Sequence, residues 1–305
     1  MTLRFIAKVA DLSEDLLAGV ELGGTKCIAL LARRPGEVVA RQHVKTTTPS
    51  ETLGQLEQIL SLWRAEHEFA ALGIASFGPL DLDPGSSAFG KITSTPKPDW
   101  SGANVFGRLS SVAGVATTID TDVNGAALAE MRWGCGQGMD DFAYVTVGTG
   151  VGVGLIVNGR PTRGFAHCEL GHIRPARLAG DDWPGSCPYH GACVEGLASG
   201  PALKARVGEE QASKLRPNDP ALESCAYALA QMCHAIVCAG APRAIAIGGG
   251  VIEGYPGLRQ RIETMLVESL NGYMQLPSGA PYIRAPALGT DAGPFGSIAL
   301  AISRL

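Results

Sequence analysis

The sequence predicts an α/β protein of two similar lobes, each built around its own sheet. Forty of the 305 residues are glycine, about twice the usual share of about 7%. These glycines follow short apolar runs, with helical patterns between them, and an apolar run, a glycine turn and a second apolar run occur together near residue 23 and again near residue 149. Strands that end in glycine turns, with helices between them, are typical of α/β proteins that bind ligands at the strand ends.

Five glycine-ended segments are the predicted strands and turns. They are "LLAGVELGGTK", "FAALGIASFGP", "FAYVTVGTGVGVGLIVNG", "RAIAIGGGV" and "APALGTDAGPFGS". Helices are predicted between and after them. The first is "SETLGQLEQILSLWRAEHE", with Ser50 as its N-cap and an apolar stripe of Leu53, Leu56, Ile59, Leu60 and Trp63. The others are "VNGAALAEMRWG", "ESCAYALAQMCHAIVCAG", "GLRQRIETMLVESLNG" and the terminal "GPFGSIALAIS".

This order of elements predicts the limits of the lobes. We expect an N-terminal lobe over residues 1–121 and a C-terminal lobe over residues 122–288. We expect residues 289–305 to form a terminal helix that packs back on the N-terminal lobe.

Composition excludes several classes of protein. Hydrophobic residues make up 46% and charged residues 18%, which indicates a globular chain with a large core. The net charge of −4 provides no basic surface for nucleic acid. The apolar runs are of strand length, and the segment before Gly19 lacks the apolar core of a signal peptide, so no membrane partner is expected. The eight cysteines form no disulfide framework; we expect a cytoplasmic protein whose cysteines outside one cluster are buried apolar residues.

Two glycine turns carry the equipment of phosphate sites. Their residues are Gly23, Gly24, Thr25 and Lys26 in the first turn, and Thr146, Gly148, Thr149 and Gly150 in the second. Such turns offer backbone N–H groups and hydroxyls to phosphate oxygens, although the first lacks the spacing of a P-loop. Either turn alone is more typical of an ordinary hairpin than of a phosphate site. Two of them, one on each lobe, indicate a site that closes on one triphosphate.

The segment "IDTDVNGAALAE" places two carboxylates directly before a predicted helix. Asp120 or Asp122 could serve as a helix N-cap. The alternative is a general base, because phosphoryl transfer to a hydroxyl uses a carboxylate that accepts the proton and orients the oxygen.

The segment "CPYHGAC" places Cys187, His190 and Cys193 at three-residue spacing. The two cysteines do not form a C-x-x-C pair, which disfavours a redox role, while a loop of unrelated residues is a second alternative. A closed tetrahedral zinc site would need a fourth ligand, for which His172 and His167 are the candidates.

Taken together, the motifs resemble the ROK family of sugar kinases and repressors. The segments "GVELGGTK", "DTDVNGAALAE", "VTVGTGVGVG", "ELGHI", "CPYHGACVEG", "AIGGGV" and "LGTDAGPFGS" occur in the family's order, from Gly19 to about residue 300. The segments "ASFGPLDLDP", "GKITSTPKPDW" and "CPYHGACVEGLASGPA", with Thr121 before Asp122, are most similar to the bacterial zinc-containing fructokinases of that family.

The resemblance implies a two-lobed, actin-like ATPase fold of the ribonuclease H-like, hexokinase type. It implies Asp122 as the catalytic base. The two glycine turns would bind the phosphates of ATP, and Gly248 and Gly249 would form the adenosine turn. Residues expected at the sugar are Thr121, Glu169, His172, Glu195, Gly78 and Pro79. The family pattern favours His172 over His167, which gives a structural zinc site of His172, Cys187, His190 and Cys193.

In that arrangement zinc would brace the sugar pocket. If one ring nitrogen of His172 binds zinc, the other can face a sugar hydroxyl, and Glu195 is positioned by the same loop. Because the nucleotide turns lie elsewhere in the chain, loss of the metal is expected to weaken sugar binding more than ATP binding.

The expected reaction is transfer of the γ-phosphoryl group of Mg-ATP to the 6-hydroxyl of D-fructose. The alternatives are a mannokinase or another hexose or N-acetylhexosamine kinase. The chain departs from the family at Glu21, where many relatives carry Asp, and at Thr121, where the family's glucokinases carry Asn, which argues against glucose. A sugar-responsive repressor is not expected, because the residues before Gly19 hold no pair of capped helices. A homodimer is expected.

Overall fold

The computed structural model describes residues 15–305. It divides into two compact units: the first holds the described residues up to Asp122 together with Ser297–Leu305, and the second is Val123–Gly296. The lobe limits predicted from the sequence, at residues 121 and 288, stay predictions. The expectations about the segment before Gly19 concern mainly residues 1–14, which lie outside the described part of the chain.

The first unit is built on a five-stranded sheet in the order β3-β2-β1-β4-β5. The strands are β1 (Leu17–Leu22), β2 (Lys26–Ala32), β3 (Val38–Lys45), β4 (Ala71–Ser76) and β5 (Ala116–Thr121). β1 pairs antiparallel with β2 and parallel with β4, which pairs parallel with β5. Leu22, Ser76 and Thr121 are register partners, so the segments that follow these three strands leave the sheet at one edge.

Two helices pack on this sheet, α1 (Pro49–Glu66) and α2 (Val105–Ala113). The predicted cap of α1 at Ser50 is wrong. Thr48 is the N-cap, and its hydroxyl accepts a hydrogen bond from the backbone N–H of Glu51, while Pro49 takes the first helical position. The predicted apolar stripe does face the core: Leu53, Leu56, Leu60 and Trp63 are buried and Ile59 is partly buried.

A pair of glycines lets the last helix approach the first sheet closely. Gly19 in β1 lies beside Gly73 in β4. The helix α10 (Ala292–Ile302) contributes its residues from Ser297 onward to the same unit. A Cβ on Gly73 would stand 1.8 Å from the Ser297 carbonyl oxygen, and one on Gly19 would stand 2.1 Å from the Ser297 hydroxyl. The helix can therefore pack here only against strands without side chains.

The second unit repeats the strand order and directions of the first. Its sheet runs β10-β9-β6-β7-β8. The strands are β6 (Phe142–Val147), β7 (Val151–Val157), β8 (Arg160–Pro161), β9 (Ile245–Gly248) and β10 (Ile283–Arg284). β6 pairs antiparallel with β7 and parallel with β9, as β1 pairs with β2 and β4. The two similar sheets predicted from the repeated glycine turns are thus present.

The remaining helices belong to this unit or begin at its border. They are α3 (Asp122–Trp133), α4 (Val194–Ala198), α5 (Gly200–Val207), α6 (Glu209–Ala212), α7 (Pro220–Gly240), α8 (Gly250–Gly254) and α9 (Leu258–Leu270). By length and composition alone α7 could cross a membrane, but 67% of its apolar window is buried inside the protein. It packs within the core of the unit, together with the β6, β7 and β9 side chains.

Two smaller expectations differ from the structure. Gly289 does not directly follow a strand: it starts the 3-10 turn Gly289–Asp291, and the preceding strand is the short β10. Of the cysteines expected to be buried, Cys27, Cys225 and Cys233 are buried and Cys135 and Cys168 are half-buried. Cys238 is exposed, because it lies on the outer face of the last turn of α7.

Gly73→Ala is expected to destabilise the protein by about 3 kcal/mol or more, the upper end of overpacking effects, because the new methyl group meets backbone atoms of α10. Gly54→Ala is the matched control. Gly54 lies inside α1, and a Cβ there would stand 4.0 Å from its nearest neighbour, a guanidinium nitrogen of Arg108, so this change should stabilise the protein by about 0.5–1 kcal/mol. Urea unfolding of both variants measures the difference. Equal midpoints for Gly73→Ala and the wild type would show that α10 does not depend on this contact.

Candidate active site

The first glycine turn joins β1 to β2 at the edge where the parallel strands end. The N–H of Gly23 donates to the carbonyl oxygen of Lys26 over 3.0 Å, which closes the turn. A Cβ on Gly23 would stand 2.6 Å from that same oxygen, so glycine is required there. Gly24, Thr25 and Lys26 are exposed, and the turn is open to a ligand.

Lys97 contacts this turn, and sequence reasoning did not single it out. Its ammonium group donates to the carbonyl oxygen of Gly24 over 2.6 Å and lies 6.0 Å from the centre of the Phe77 ring. The carbonyl of Gly24 and the N–H of Thr25 belong to one planar peptide, so holding one fixes the direction of the other. The available signal was the position of Lys97 within "GKITSTPKPDW".

Gly78 and Pro79 follow β4 at the same edge of the first sheet. The N–H of Phe77 donates to the carbonyl oxygen of Leu22 over 2.8 Å, which extends the parallel pairing beyond the strands. The carbonyl oxygen of Pro79 accepts from the N–H of Thr93 over 2.8 Å. Two of the predicted sugar-site residues are thus held beside the end of β1.

The structure gives the two candidate carboxylates different positions. Asp120 lies inside β5 and is buried, and its Oδ1 accepts from the N–H of Thr121 over 2.7 Å. A residue within a strand cannot cap α3, so that alternative does not hold for Asp120. Asp122 is the first residue of α3 and is partly exposed, directly after the end of β5. Asp122 is therefore the better placed of the two to meet a substrate.

In the second unit, the turn between β6 and β7 is closed by its own backbone. The N–H of Gly148 donates to the carbonyl oxygen of Gly150 over 2.9 Å. Two further bonds come from a distant segment: the N–H of Gly200 donates to Gly148 O over 2.8 Å, and the N–H of Val151 donates to Oε2 of Glu195 over 3.0 Å. Thr149 is left exposed at the tip.

Gly248 and Gly249 lie at the end of β9, beside the end of β6. Thr146 and Gly248 are register partners, so the second glycine turn and the predicted adenosine turn share one edge of the sheet. Gly249 has φ +97°, and a Cβ there would stand 2.5 Å from Val147 O. Only glycine fits this close turn, from which α8 begins.

A cavity of about 360 Å³ lies where α8 is followed by α9, and sequence reasoning did not identify it. Its walls come from two stretches of the second unit that are separated in the sequence, residues 215–223 and residues 254–264. The lining residues are Leu215, Pro217, Asn218, Leu222, Glu223, Gly254, Tyr255, Pro256, Gly257, Leu258, Gln260, Arg261 and Thr264.

The four predicted zinc ligands form one cluster. The donor atoms of His172, Cys187, His190 and Cys193 all lie within 4.8 Å of one another. Nδ1 of His172 is 3.8 Å from the Cys187 sulfur and 3.6 Å from the Cys193 sulfur. Zinc bonds of ~2.3 Å to sulfur and ~2.0 Å to nitrogen at tetrahedral angles separate the two donors by about 3.5 Å. The donor set therefore fits a four-coordinate zinc ion.

His167, the rival fourth ligand, faces elsewhere. Its Nδ1 lies 3.3 Å from the carbonyl oxygen of Cys168 and 3.5 Å from Oε1 of Glu169. Burial raises the pKa of the Glu169 carboxyl above its ordinary value, while His167 and His172 act in the opposite direction. Glu169 thus interacts with two histidines, His167 outside the cluster and His172 within it.

The cluster is held by a tight loop. Cys187 and Gly191 exchange two backbone hydrogen bonds, of 3.2 and 2.9 Å, and Gly191 has φ +56°. The Cys193 sulfur is the N-cap of α4 and accepts from the N–H of Gly196 over 3.4 Å. Burial raises the pKa of the Cys193 thiol to about 11. A cation would therefore have to displace a proton to bind this sulfur.

Comparison with known proteins gives the family. The profile of the ROK family matches residues 17–304. The chain belongs to the ROK family. It is 41% identical over 289 residues to a fructokinase of Zymomonas mobilis, covering 93% of this chain and 95% of the relative. It is 37% identical to a fructokinase of Pediococcus pentosaceus, covering 95% of this chain and 99% of the relative.

A solved structure of the family supports the fold. The crystal structure of a ROK family glucokinase from Streptomyces griseus in complex with glucose and AMPPNP matches with a TM-score of 0.73 and 26% identity, over 94% of this chain and 99% of that chain. The family and the actin-like ATPase fold predicted from the motifs are confirmed. The roles predicted for individual residues stay predictions.

Proposed function

We propose that this ROK protein is an ATP-dependent fructokinase that forms fructose 6-phosphate. The observation that carries the proposal is the similarity to fructokinases along nearly the whole chain, at up to 41% identity over 289 residues. Thr121 adds to it, since a hydroxyl and a methyl group stand where the family's glucokinases are expected to present an amide. The reaction is transfer of the γ-phosphoryl group of Mg-ATP to the 6-hydroxyl of D-fructose.

Asp122 takes the proton of the attacking hydroxyl. Its carboxylate is at the first position of α3 and is partly exposed, so it can reach a substrate, whereas the Asp120 carboxylate is buried and bonded to backbone. A positioned carboxylate both orients the hydroxyl and removes its proton as the phosphoryl group arrives.

The glycine turns bind the phosphates. The first, Gly23–Lys26, is exposed and is held by Lys97, and the second, with Gly148, Thr149 and Gly150, presents Thr149 at its tip. The Mg²⁺ ion that accompanies ATP neutralises the charge on the phosphate oxygens. Lys26 and Lys97 add positive charge at the first of these turns.

The cavity beside α8 is the proposed place for the nucleoside base. The helix α8 starts at the proposed adenosine turn, Gly248–Gly249, and ends where the cavity wall begins. The wall combines apolar side chains such as Leu222 and Leu258 with the polar groups of Asn218 and Gln260. This combination suits a flat heterocycle with a polar edge.

The residues proposed to contact the sugar are Thr121, Gly78, Pro79, Glu169, His172 and Glu195. Zinc held by His172, Cys187, His190 and Cys193 would supply structural cross-linking, with no part in the chemistry. Since Nδ1 of His172 faces the two sulfurs, its Nε2 is the nitrogen left for a sugar hydroxyl.

A cytoplasmic homodimer remains our prediction, and the mass of the native protein by light scattering checks the dimer.

A substrate panel tests the proposal directly. Fructose is expected to give the highest kcat/KM among fructose, mannose, glucose and N-acetylmannosamine, with mannose second. A kcat/KM for glucose tenfold above that for fructose, which corresponds to about 1.4 kcal/mol of transition-state discrimination, would contradict the proposal. A kcat/KM for mannose above that for fructose would contradict it as well. A coupled assay of ADP release measures all four sugars under one condition.

Asp122→Asn is expected to lower kcat by about 10²–10⁴-fold with folding intact, because the amide keeps the size of the side chain but cannot accept the proton. Asp120→Asn is the matched control and should lower kcat far less. Kinetics with fructose and circular dichroism are the measurements. If turnover survives in Asp122→Asn and is lost in Asp120→Asn, the base is Asp120.

Cys193→Ala is expected to lose zinc, lower the melting temperature and raise the KM for fructose. Cys238→Ala, which removes an exposed cysteine outside the cluster, is the control and should keep one zinc per chain. Elemental analysis beside sugar kinetics gives the answer. Full zinc content in Cys193→Ala, or zinc-free wild type with an unchanged KM for fructose, would show that the loop has another purpose.

A further inference from the structure

The segment that follows the zinc loop contacts the second phosphate turn at two places. Glu195, in the first turn of α4, accepts from the N–H of Val151 over 3.0 Å. Gly200, at the start of α5, donates to Gly148 O over 2.8 Å. Both ends of the turn are therefore hydrogen-bonded to residues 195–200. Glu195 and Val151, which are joined in this way, are 44 residues apart in the sequence.

The bond from Val151 fixes the shape of the turn. The N–H of Val151 and the carbonyl of Gly150 belong to one planar peptide. That carbonyl accepts the N–H of Gly148, which closes the turn, over 2.9 Å. The Glu195 carboxylate thus holds the peptide on which closure depends, and bonds to a charged acceptor are stronger than those between neutral groups.

The carboxylate also packs directly against the turn. A Cβ on Gly150 would stand 2.7 Å from Oε2 of Glu195, so the backbone approaches the carboxylate as closely as a glycine allows. On the other side of Val151, a Cβ on Gly171 would stand 1.9 Å from Val151 O. Gly171 precedes the ligand His172. The two segments that carry cluster ligands therefore contact Val151 on opposite sides, one at its N–H and the other at its carbonyl oxygen.

Glu195 is positioned by the loop that carries three members of the cluster, Cys187, His190 and Cys193. The Cys193 sulfur caps α4, and the N–H of Val194 donates to Ile173 O over 3.1 Å, which joins the two ligand-bearing segments. Glu195 lies two positions after Cys193 within this short helix. Movement of the sulfur would therefore move the carboxylate.

We infer that Glu195 is a positioning residue for the second phosphate turn, through which the Cys/His cluster controls nucleotide binding. The inference rests on the proposed function in one respect, that this turn binds ATP phosphates. It revises the expectation that metal loss weakens sugar binding more than ATP binding. Sequence separation supported that expectation, but the contact between Glu195 and Val151 does not.

The experiment measures Mg-ADP binding without sugar, by calorimetry, so that any role of Glu195 at the sugar does not enter. Glu195→Ala is expected to raise the Kd about tenfold, equivalent to about 1.4 kcal/mol. Glu195→Gln should stay within about threefold of the wild type, since its amide oxygen can still accept from Val151. Glu209→Ala, which removes an exposed glutamate paired with Lys204, is the control and should not change the Kd.

Hydrogen exchange reports on the turn directly. The peptide that covers residues 147–152 should exchange faster in Glu195→Ala and in chelator-treated wild type, and Glu195→Gln should restore protection. The effects of Glu195→Ala and zinc removal on the Kd should be less than additive, as expected when two changes act through one contact. If Glu195→Ala fails to fold, chelated wild type and Glu195→Gln supply both readouts.

The outcomes separate the inference from the proposed function. An unchanged Kd and unchanged exchange in Glu195→Ala overturn the inference and leave a fructokinase intact. If the effects of Glu195→Ala and zinc removal on the Kd for Mg-ADP are fully additive, the cluster does not act on the turn through Glu195, and the inference is overturned. Failure of wild type to bind Mg-ADP overturns the proposed function and with it the nucleotide part of the inference. Faster exchange together with weaker Mg-ADP binding in Glu195→Ala supports the inference.

Discussion

Strand register is the constraint on which the rest of each unit depends. In the first unit the pairing of Leu22, Ser76 and Thr121 brings the ends of three parallel strands to one edge of the sheet. In the second, Thr146 and Gly248 are paired in the same way. A shift by one residue would turn every side chain to the opposite face and move the turns relative to one another. Every turn to which we assign a ligand therefore depends on these pairings.

The helix that starts with Asp122 is fixed at both ends within the second unit. Near its start, Val123 packs on β7 where Gly152 and Gly154 have no side chain: a Cβ on Gly154 would stand 2.3 Å from Val123 O. Near its end, the buried carboxylate of Glu130 accepts from the backbone N–H groups of Cys135, Ala287 and Leu288. A carboxylate without water must find such donors, and here they anchor α3 to the segment before α10.

Much of this follows from local sequence, and the rest does not. Glycine turns, strand order and the spacing of Cys187, His190 and Cys193 are short-range patterns, and they gave the family, the fold and a ligand cluster that the structure assembles. The choice of Thr48 over Ser50 as a cap depends on where Pro49 can lie, which the apolar stripe does not specify. Contacts such as Lys97 with Gly24 join distant segments, and no periodicity in the sequence reports them.

The cavity beside α8 was missed for the same reason, because its wall is assembled from two separate stretches of the chain, residues 215–223 and 254–264. The choice between His172 and His167 also needed three-dimensional geometry. Both histidines lie near Glu169, but only His172 turns a ring nitrogen toward the sulfurs. Motif comparison favoured His172, whose Nδ1 lies 3.6 Å from the Cys193 sulfur, whereas residue spacing alone left the two histidines equivalent.

The loop before α4 explains why a metal would be retained in this fold. Between the 3-10 turn Leu170–His172 and the start of α4 at Val194, no helix or strand holds the described chain, apart from a single bridge between Cys187 and Gly191. A stretch of this length has little backbone pairing with which to fix Glu195. Metal binding supplies free energy of folding directly and closes such a loop at its ends. Because one Glu195 oxygen is bonded to Val151, a metal bound by this loop would hold in place both the proposed sugar residue Glu195 and the proposed phosphate turn.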